Sequence, residues 1–219
     1  MNDNTKDMEL KNRICDEAMK MFLKYGVKSV RMDDIASYMN ISKRTLYELF
    51  GDRENLIIQT IEKYQESRNA EGEKIDKKAK NVMELFILLL SDWENLMKQN
   101  IIFMNDLRRF YPSIHERIFA NGYDKGTDKL KQALGQGVKD GVFIPDLNIE
   151  FSAQMLTGSI INVFMHPTPY QANNISQWEA FKYILMCFIR GISTSKGLRL
   201  LDQFIATSYD TKIKKENPV

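Results

Sequence analysis

Proline placement constrains this chain more than any other feature. Of five prolines in 219 residues, Pro112, Pro145, Pro167 and Pro169 fall between stretches whose apolar residues recur every three or four positions, and Pro218 lies near the end. Proline lacks a backbone donor and clashes with the preceding turn, so stretches free of it can run as long helices. The expected fold class is all-α. Leu10, Ile14, Ala18, Met21, Phe22 and Tyr25 mark a first helix over 7–25, with Gly26 as its C-cap. Short helices are expected over 32–39 and 42–50, parted by Asn40-Ile41. After Gly51, Asp52 is a good N-cap for a longer helix to about residue 70, where Glu71-Gly72-Glu73 weakens it. Further helices are expected over 80–99, 100–110, 113–141, 148–165, 176–194 and 197–206. Gly122, Gly126, Gly135 and Gly137 mark the one over 113–141 for kinking or fraying.

The chain is long enough to bury a sizeable core without disulfide or metal staples. Its longest apolar run, residues 85–90, falls far short of the roughly 20 residues a membrane span needs. The polar first eleven residues and the mere two cysteines, Cys15 and Cys187, make a cytoplasmic protein the expectation. Net charge is +2, so any footprint for a polyanion must be local. Twelve methionines and 23 aromatics suit irregular helical cores and adaptable apolar pockets alike.

Residues 32–50 have the spacing of a helix-turn-helix. Ala36 is small where two helices must cross closely, and Asn40, four residues on, suits the left-handed backbone of a tight turn. Leu46, ten residues after Ala36, packs the second helix back. Ile35, Met39, Ile41 and Phe50 hold the pair against the first helix. Ser42 can cap the second helix, and Lys43, Arg44, Thr45 and Tyr47 cluster on its first turn and a half, where a recognition helix meets a major groove. The same spacing also suits a plain helical hairpin with a solvated Lys-Arg pair.

The stretch from Ile14 to Leu56 resembles the DNA-binding domain of the TetR (tetracycline repressor) family of transcriptional regulators. The likeness rests on AMKMF at 18–22, YGVKSV at 25–30, DDIA at 33–36, ISKRTLYELF at 41–50 and the acidic helix start in GDRENL at 51–56. It implies an N-terminal three-helix helix-turn-helix DNA-binding domain (1–53) and a larger C-terminal helical domain for ligand binding and dimerisation (54–206), while the polar composition of 207–219 makes a disordered tail the expectation there. It also implies that Arg31 and Met32, then Ser42, Lys43, Arg44, Thr45 and Tyr47, and finally Arg53 face DNA. By their chemistry Lys43 and Arg53 suit phosphates, Thr45 and Tyr47 offer hydroxyls to phosphates, and Arg44 is suited to reading guanine. Asn40 stands where the family usually has glycine, and Arg53 replaces a commoner lysine. Residues 1–60 hold ten Lys/Arg and ten Asp/Glu, so specificity is expected from paired half-sites rather than from bulk charge.

For the larger domain the resemblance is architectural. FIRGI at 188–192 and the apolar stretches over 151–165 and 181–192 are similar to the last two family helices, which pack in a two-fold four-helix bundle; their stripes also suit an intramolecular core. A homodimer would set two recognition helices about one DNA turn apart on a palindromic operator. Candidates for a ligand pocket are Trp93, Met97, Phe103, Phe110, Tyr111, Tyr123, Met155 and Phe164, each of which equally suits core packing. Trp93 with tyrosines could form a cation cage near Asp92, Glu94 and Asp106, acids that also suit a solvated face. His115 and His166 are expected on loops or at the surface.

No catalytic residue, cofactor or metal site is expected. HERIF at His115 is not HExxH, neither a Gly-rich phosphate loop nor GxSxG occurs, and the two cysteines lack metal-ligand spacing. The reading is therefore a dimeric transcriptional regulator, a repressor by family expectation, released from DNA by a small-molecule effector. The alternatives are a helical DNA-binding dimer without a small-molecule switch and, against this inventory, an enzyme.

Overall fold

The computed structural model describes residues 3–166 and 173–216, with the side chains of 3–4, 97–99, 121–122 and 207–216 outside that description. Among the described residues nine helices follow one another: α1 Asp3–Tyr25, α2 Met32–Met39, α3 Lys43–Phe50, α4 Arg53–Lys78 and α5 Val82–Phe110. They continue as α6 Pro112–Lys139, α7 Ile149–Met165, α8 Gln177–Ile192 and α9 Ser195–Glu216. The all-α fold class holds. The breaks expected at Pro167 and Pro169 lie outside the described residues.

Where helices end, side-chain chemistry accounts for it. Ser42, Asn148 and Ser176 sit at N-caps in extended backbone, and their side-chain oxygens accept from the backbone N–H of Thr45, Phe151 and Glu179. Where expected breaks are absent, the reason is equally local. Residues 82–110 contain no glycine or proline, so the two helices expected there are one. Gly72 costs α4 only about 1 kcal/mol relative to alanine, too little to stop a helix that continues to Lys77 and Lys78 in its last turn. Four internal glycines likewise leave α6 continuous. The last helix extends to Glu216 and so takes in residues 207–216, expected as disordered tail.

The helices form two compact units. The first comprises residues 1–74 and 95–115, the second residues 75–94 and 116–219. In the first, α1 contributes Ile14, Ala18, Met19 and Phe22 to a core shared with Ile35, Leu46, Phe50, Leu56 and Ile57, joined by Phe103 and Leu107 from the C-terminal half of α5. The three- and four-residue spacing of these positions puts them on one face of each helix. His115, expected at the surface, is buried in this unit, on the first turn of α6. His166 is exposed at the C-cap of α7.

In the second unit α7 packs on α8. The segment after α6 is pinned there by backbone hydrogen bonds, Ile144 N–H to Ile192 O at 2.9 Å and Thr194 N–H to Val142 O at 3.0 Å. Phe143 lies against Gly137, so close that a Cβ at 137 would fall 2.2 Å from its ring. The boundary expected near residue 53 thus misses a contribution to the first unit from residues 95–115, because α4 and α5 each supply residues to both units. No helix among the described residues is long and apolar enough to cross a membrane.

Candidate nucleic-acid interface

The geometry of α2 and α3 follows the spacing arguments residue by residue. Ala36 is buried, and its carbonyl accepts from Ile41 N–H at 3.0 Å across the turn. Asn40 adopts φ 54°, ψ 42°, the left-handed conformation that asparagine tolerates. Arg31 N–H donates to the Asp34 carboxylate at 2.7 Å and closes the start of α2. Ser42 Oγ accepts from Thr45 N–H at 2.9 Å and lies 2.8 Å from Thr45 Oγ1, which closes the start of α3.

Within α3, side chains four apart share a face and those two apart lie on opposite faces. Leu46 and Phe50 are buried, while Arg44 and Glu48 point the other way and Lys43 and Tyr47 flank them, all four exposed. Arg31 and Ser42 are exposed as well, and Thr45 is half-buried. Each basic residue of the helix holds a carboxylate: Lys43 Nζ meets Asp33 at 2.7 Å, and Arg44 Nε meets Glu48 at 2.7 Å. The hydrogen bond that Lys43 donates to Asp33 holds its ammonium above its ordinary pKa, so it is fully charged near neutrality. Exposed pairs of this kind contribute little to stability and exchange readily for other partners.

Two residues expected at this face lie elsewhere. Met32 is buried, because with Ile35 and Ala36 it completes the i, i+3, i+4 stripe that α2 turns into the core. Arg53 is part-buried and points into the unit. Its Nη2 donates to the carbonyls of Val27 at 2.6 Å and Val30 at 2.9 Å, and its Nη1 donates to the Tyr111 hydroxyl. Its guanidinium carbon also lies 5.6 Å from the Tyr111 ring centre.

A neighbouring tie was missed from sequence. The Asp106 carboxylate accepts from Lys28 N–H at 3.0 Å, and Lys28 Nζ lies over the Phe110 ring at 4.4 Å. The α1–α2 connection, which leads into the helix-turn-helix, is thereby held by the last turns of α5. The available signal was Gly26: with φ 81°, a Cβ there would sit 2.4 Å from an Asp106 oxygen.

The expected pocket residues are divided between the two units. Phe103 is buried in the first unit, and Phe110 and Tyr111 serve there as platforms for cations. The physical reason is that Phe103 and Phe110 lie on the C-terminal half of α5 and Tyr111 follows directly, all within residues 95–115 of that unit. The Met97 side chain lies outside the described residues. Met155 is exposed on α7, and Tyr123 is half-buried on α6. Trp93 and Phe164 do meet, in an aromatic cluster of the second unit. Trp93 stacks on Phe181 at 5.3 Å between ring centres, Phe164 stacks on Phe119 at 6.4 Å, and Trp178 lies 5.4 Å from Phe181. Phe119, Trp178 and Phe181 were not singled out from sequence, since an aromatic at helical spacing carries no mark of which partner it will meet.

Among the described residues no three His, Cys, Asp or Glu side chains gather as a metal site would require. Residues 14–60 match the family model described as bacterial regulatory proteins, tetR family. Over 186 residues the chain is 23% identical to the uncharacterized HTH-type transcriptional regulator YvaF of Bacillus subtilis, covering 84% of this chain and 96% of that one. Its fold is similar to that of a transcriptional regulator from Cytophaga hutchinsonii, with a TM-score of 0.72 at 20% identity over 85% of this chain and 98% of the other. It is also similar to SmeT in a complex with triclosan, with a TM-score of 0.63 at 14% identity over 85% and 93%.

Proposed function

We propose that the chain is a DNA-binding transcriptional regulator of the TetR family, working in the cytoplasm as a homodimeric repressor released from a palindromic operator by a small molecule bound in the larger unit. One observation carries the DNA-binding part: α3 buries Leu46 and Phe50 while presenting Lys43, Arg44 and Tyr47 to solvent immediately after a capped N-terminus. Lys43, Arg31 and the hydroxyls of Ser42, Thr45 and Tyr47 position the domain on phosphates, and Arg44 reads a guanine. Arg53 acts indirectly, by fixing the backbone that leads into α2.

Dimerisation through α7 and α8 is supported by the apolar side chains these helices leave exposed, Phe151 and Met155 on α7 and Tyr183 on α8. Gly158 and Gly191 have open space where a Cβ would stand, which suits close approach of a second copy. For the effector, SmeT carries triclosan on the same fold. In this chain, the cluster around Trp93, Phe164 and Phe181 offers rings that a flat apolar molecule could separate and stack between.

The test is selection of genomic fragments by the purified protein under excess nonspecific DNA, with Arg44→Ala beside it. Enrichment of a palindrome by the wild type and not by the variant is the expected result. A folded, dimeric protein that enriches nothing even after refolding has stripped any bound ligand would overturn the reading. An effector should raise the melting temperature by binding the native protein, and the factor by which it lowers operator affinity should equal the factor by which operator DNA lowers effector affinity.

A further inference from the structure

The outward face of α3 carries one charged side chain to which the reading above gives no part. Glu48 stands one helical turn beyond Arg44, opposite the buried Leu46 and Phe50, at the centre of the surface that would enter the major groove. A carboxylate there is misplaced for phosphates. Asp33, the other acid that pairs with a cation of this helix, is engaged with Lys43. Glu48 accepts from Arg44 Nε at 2.7 Å while both side chains stay open to solvent, 58% and 87% exposed. This bond engages the guanidinium through Nε. The two terminal nitrogens then form the fork that matches guanine O6 and N7. The second carboxylate oxygen is an acceptor, and in the major groove the donor that suits it is the N4 amino group of cytosine. Thymine presents O4, another acceptor, at the same place. The N6 amino group of adenine is a donor too, but N7 beside it would repel a carboxylate.

We infer that Glu48 is a second specificity-determining residue of the operator: it orients Arg44 on a guanine and accepts the N4 amino group of a cytosine in the neighbouring base pair. Each half-site then contains a guanine and a cytosine one base step apart. The inference rests on the reading of α3 as the recognition helix.

The experiment is selection from a random duplex library with full-length wild type, Glu48→Ala, Glu48→Gln and Arg44→Ala, followed by titration of the selected duplex and its single-base-pair changes at one salt concentration. For the wild type, replacing that C·G pair with T·A should weaken binding about ten-fold, within the range a good base contact confers. For Glu48→Ala the same change should cost less than about two-fold, with preferences at the outer positions unaltered. Glu48→Gln, which keeps an acceptor oxygen, should retain part of the cytosine preference. Two results would overturn the inference while leaving the recognition helix standing: a selected sequence for Glu48→Ala identical to the wild type's, or a uniform rise in affinity for every duplex, which would make Glu48 only a repulsive charge. A wild type that enriches no sequence would overturn the reading of α3, and this inference with it.

Discussion

Arg53 and Gly26 show how a residue can support the proposed binding surface without lying on it. Arg53 ties two carbonyls of the α1–α2 connection to Tyr111, and Gly26 admits Asp106 against the same connection. Gly26→Ala combines a positive φ with a carboxylate 2.4 Å from the new carbon, so it should destabilise the protein by about 2 kcal/mol or more, read from urea unfolding. Tyr111→Phe removes only the oxygen that Arg53 donates to and should cost about 1 kcal/mol. If Arg53 contacted phosphate instead, Tyr111→Phe would leave stability unchanged. The basic character of Arg53 was plain in the sequence, but its direction was not, because the carbonyls that claim it come from residues 27 and 30 and the hydroxyl from residue 111.

At the scale of elements, the capping chemistry written into short sequence windows governs where helices start. Ser176 and Glu179 form a reciprocal pair at the head of α8: Glu179 N–H donates to Ser176 Oγ at 3.1 Å, and Ser176 N–H donates to a Glu179 oxygen at 2.8 Å. The hydrogen bonds from Ser176, led by its hydroxyl, hold the Glu179 carboxyl below the usual glutamate range. A lowered folded-state pKa means stability that is complete above the ordinary value and is lost as pH falls through the lowered one. Glu179→Gln should therefore lower the melting temperature above about pH 5, with the difference from wild type closing as the carboxylate protonates in acid. A difference that stayed constant across that range would assign the effect to shape rather than to charge. Boundaries such as those of α2 and α3 were legible because cap, turn residue and apolar step all lie within ten positions. The single run of α5 was not read correctly: a polar Gln99-Asn100 pair resembles a break, yet Asn100 is buried, with its Nδ2 donating to the Tyr64 hydroxyl at 3.3 Å.

At the scale of the whole molecule, the two units impose different demands on one chain. The first unit needs residues 95–115 as well as the N-terminal helices, so a fragment ending at residue 74 lacks Phe103, Leu107 and the Asp106 and Tyr111 ties. That fragment should melt well below the full chain, as followed by circular dichroism. In the second unit, Tyr183 is 75% exposed on α8, and Tyr183→Asp should leave the fold intact while shifting sedimentation from dimer towards monomer. A variant that stays dimeric would remove α8 from the proposed interface.

The sequence by itself determined the all-helical class, the helix-turn-helix with Asn40 at its turn, and the match of residues 14–60 to the tetR family model. These are properties of local periodicity, capping and backbone preference, and they act within a few turns of chain. Only the tertiary structure decided that Met32 and Arg53 face inward, that α5 gives its C-terminal half to the first unit, and that Trp93 and Phe164 meet Phe181. Those outcomes depend on which distant side chain arrives at a given face. Helical periodicity assigns a face to each residue, but not the partner that covers it.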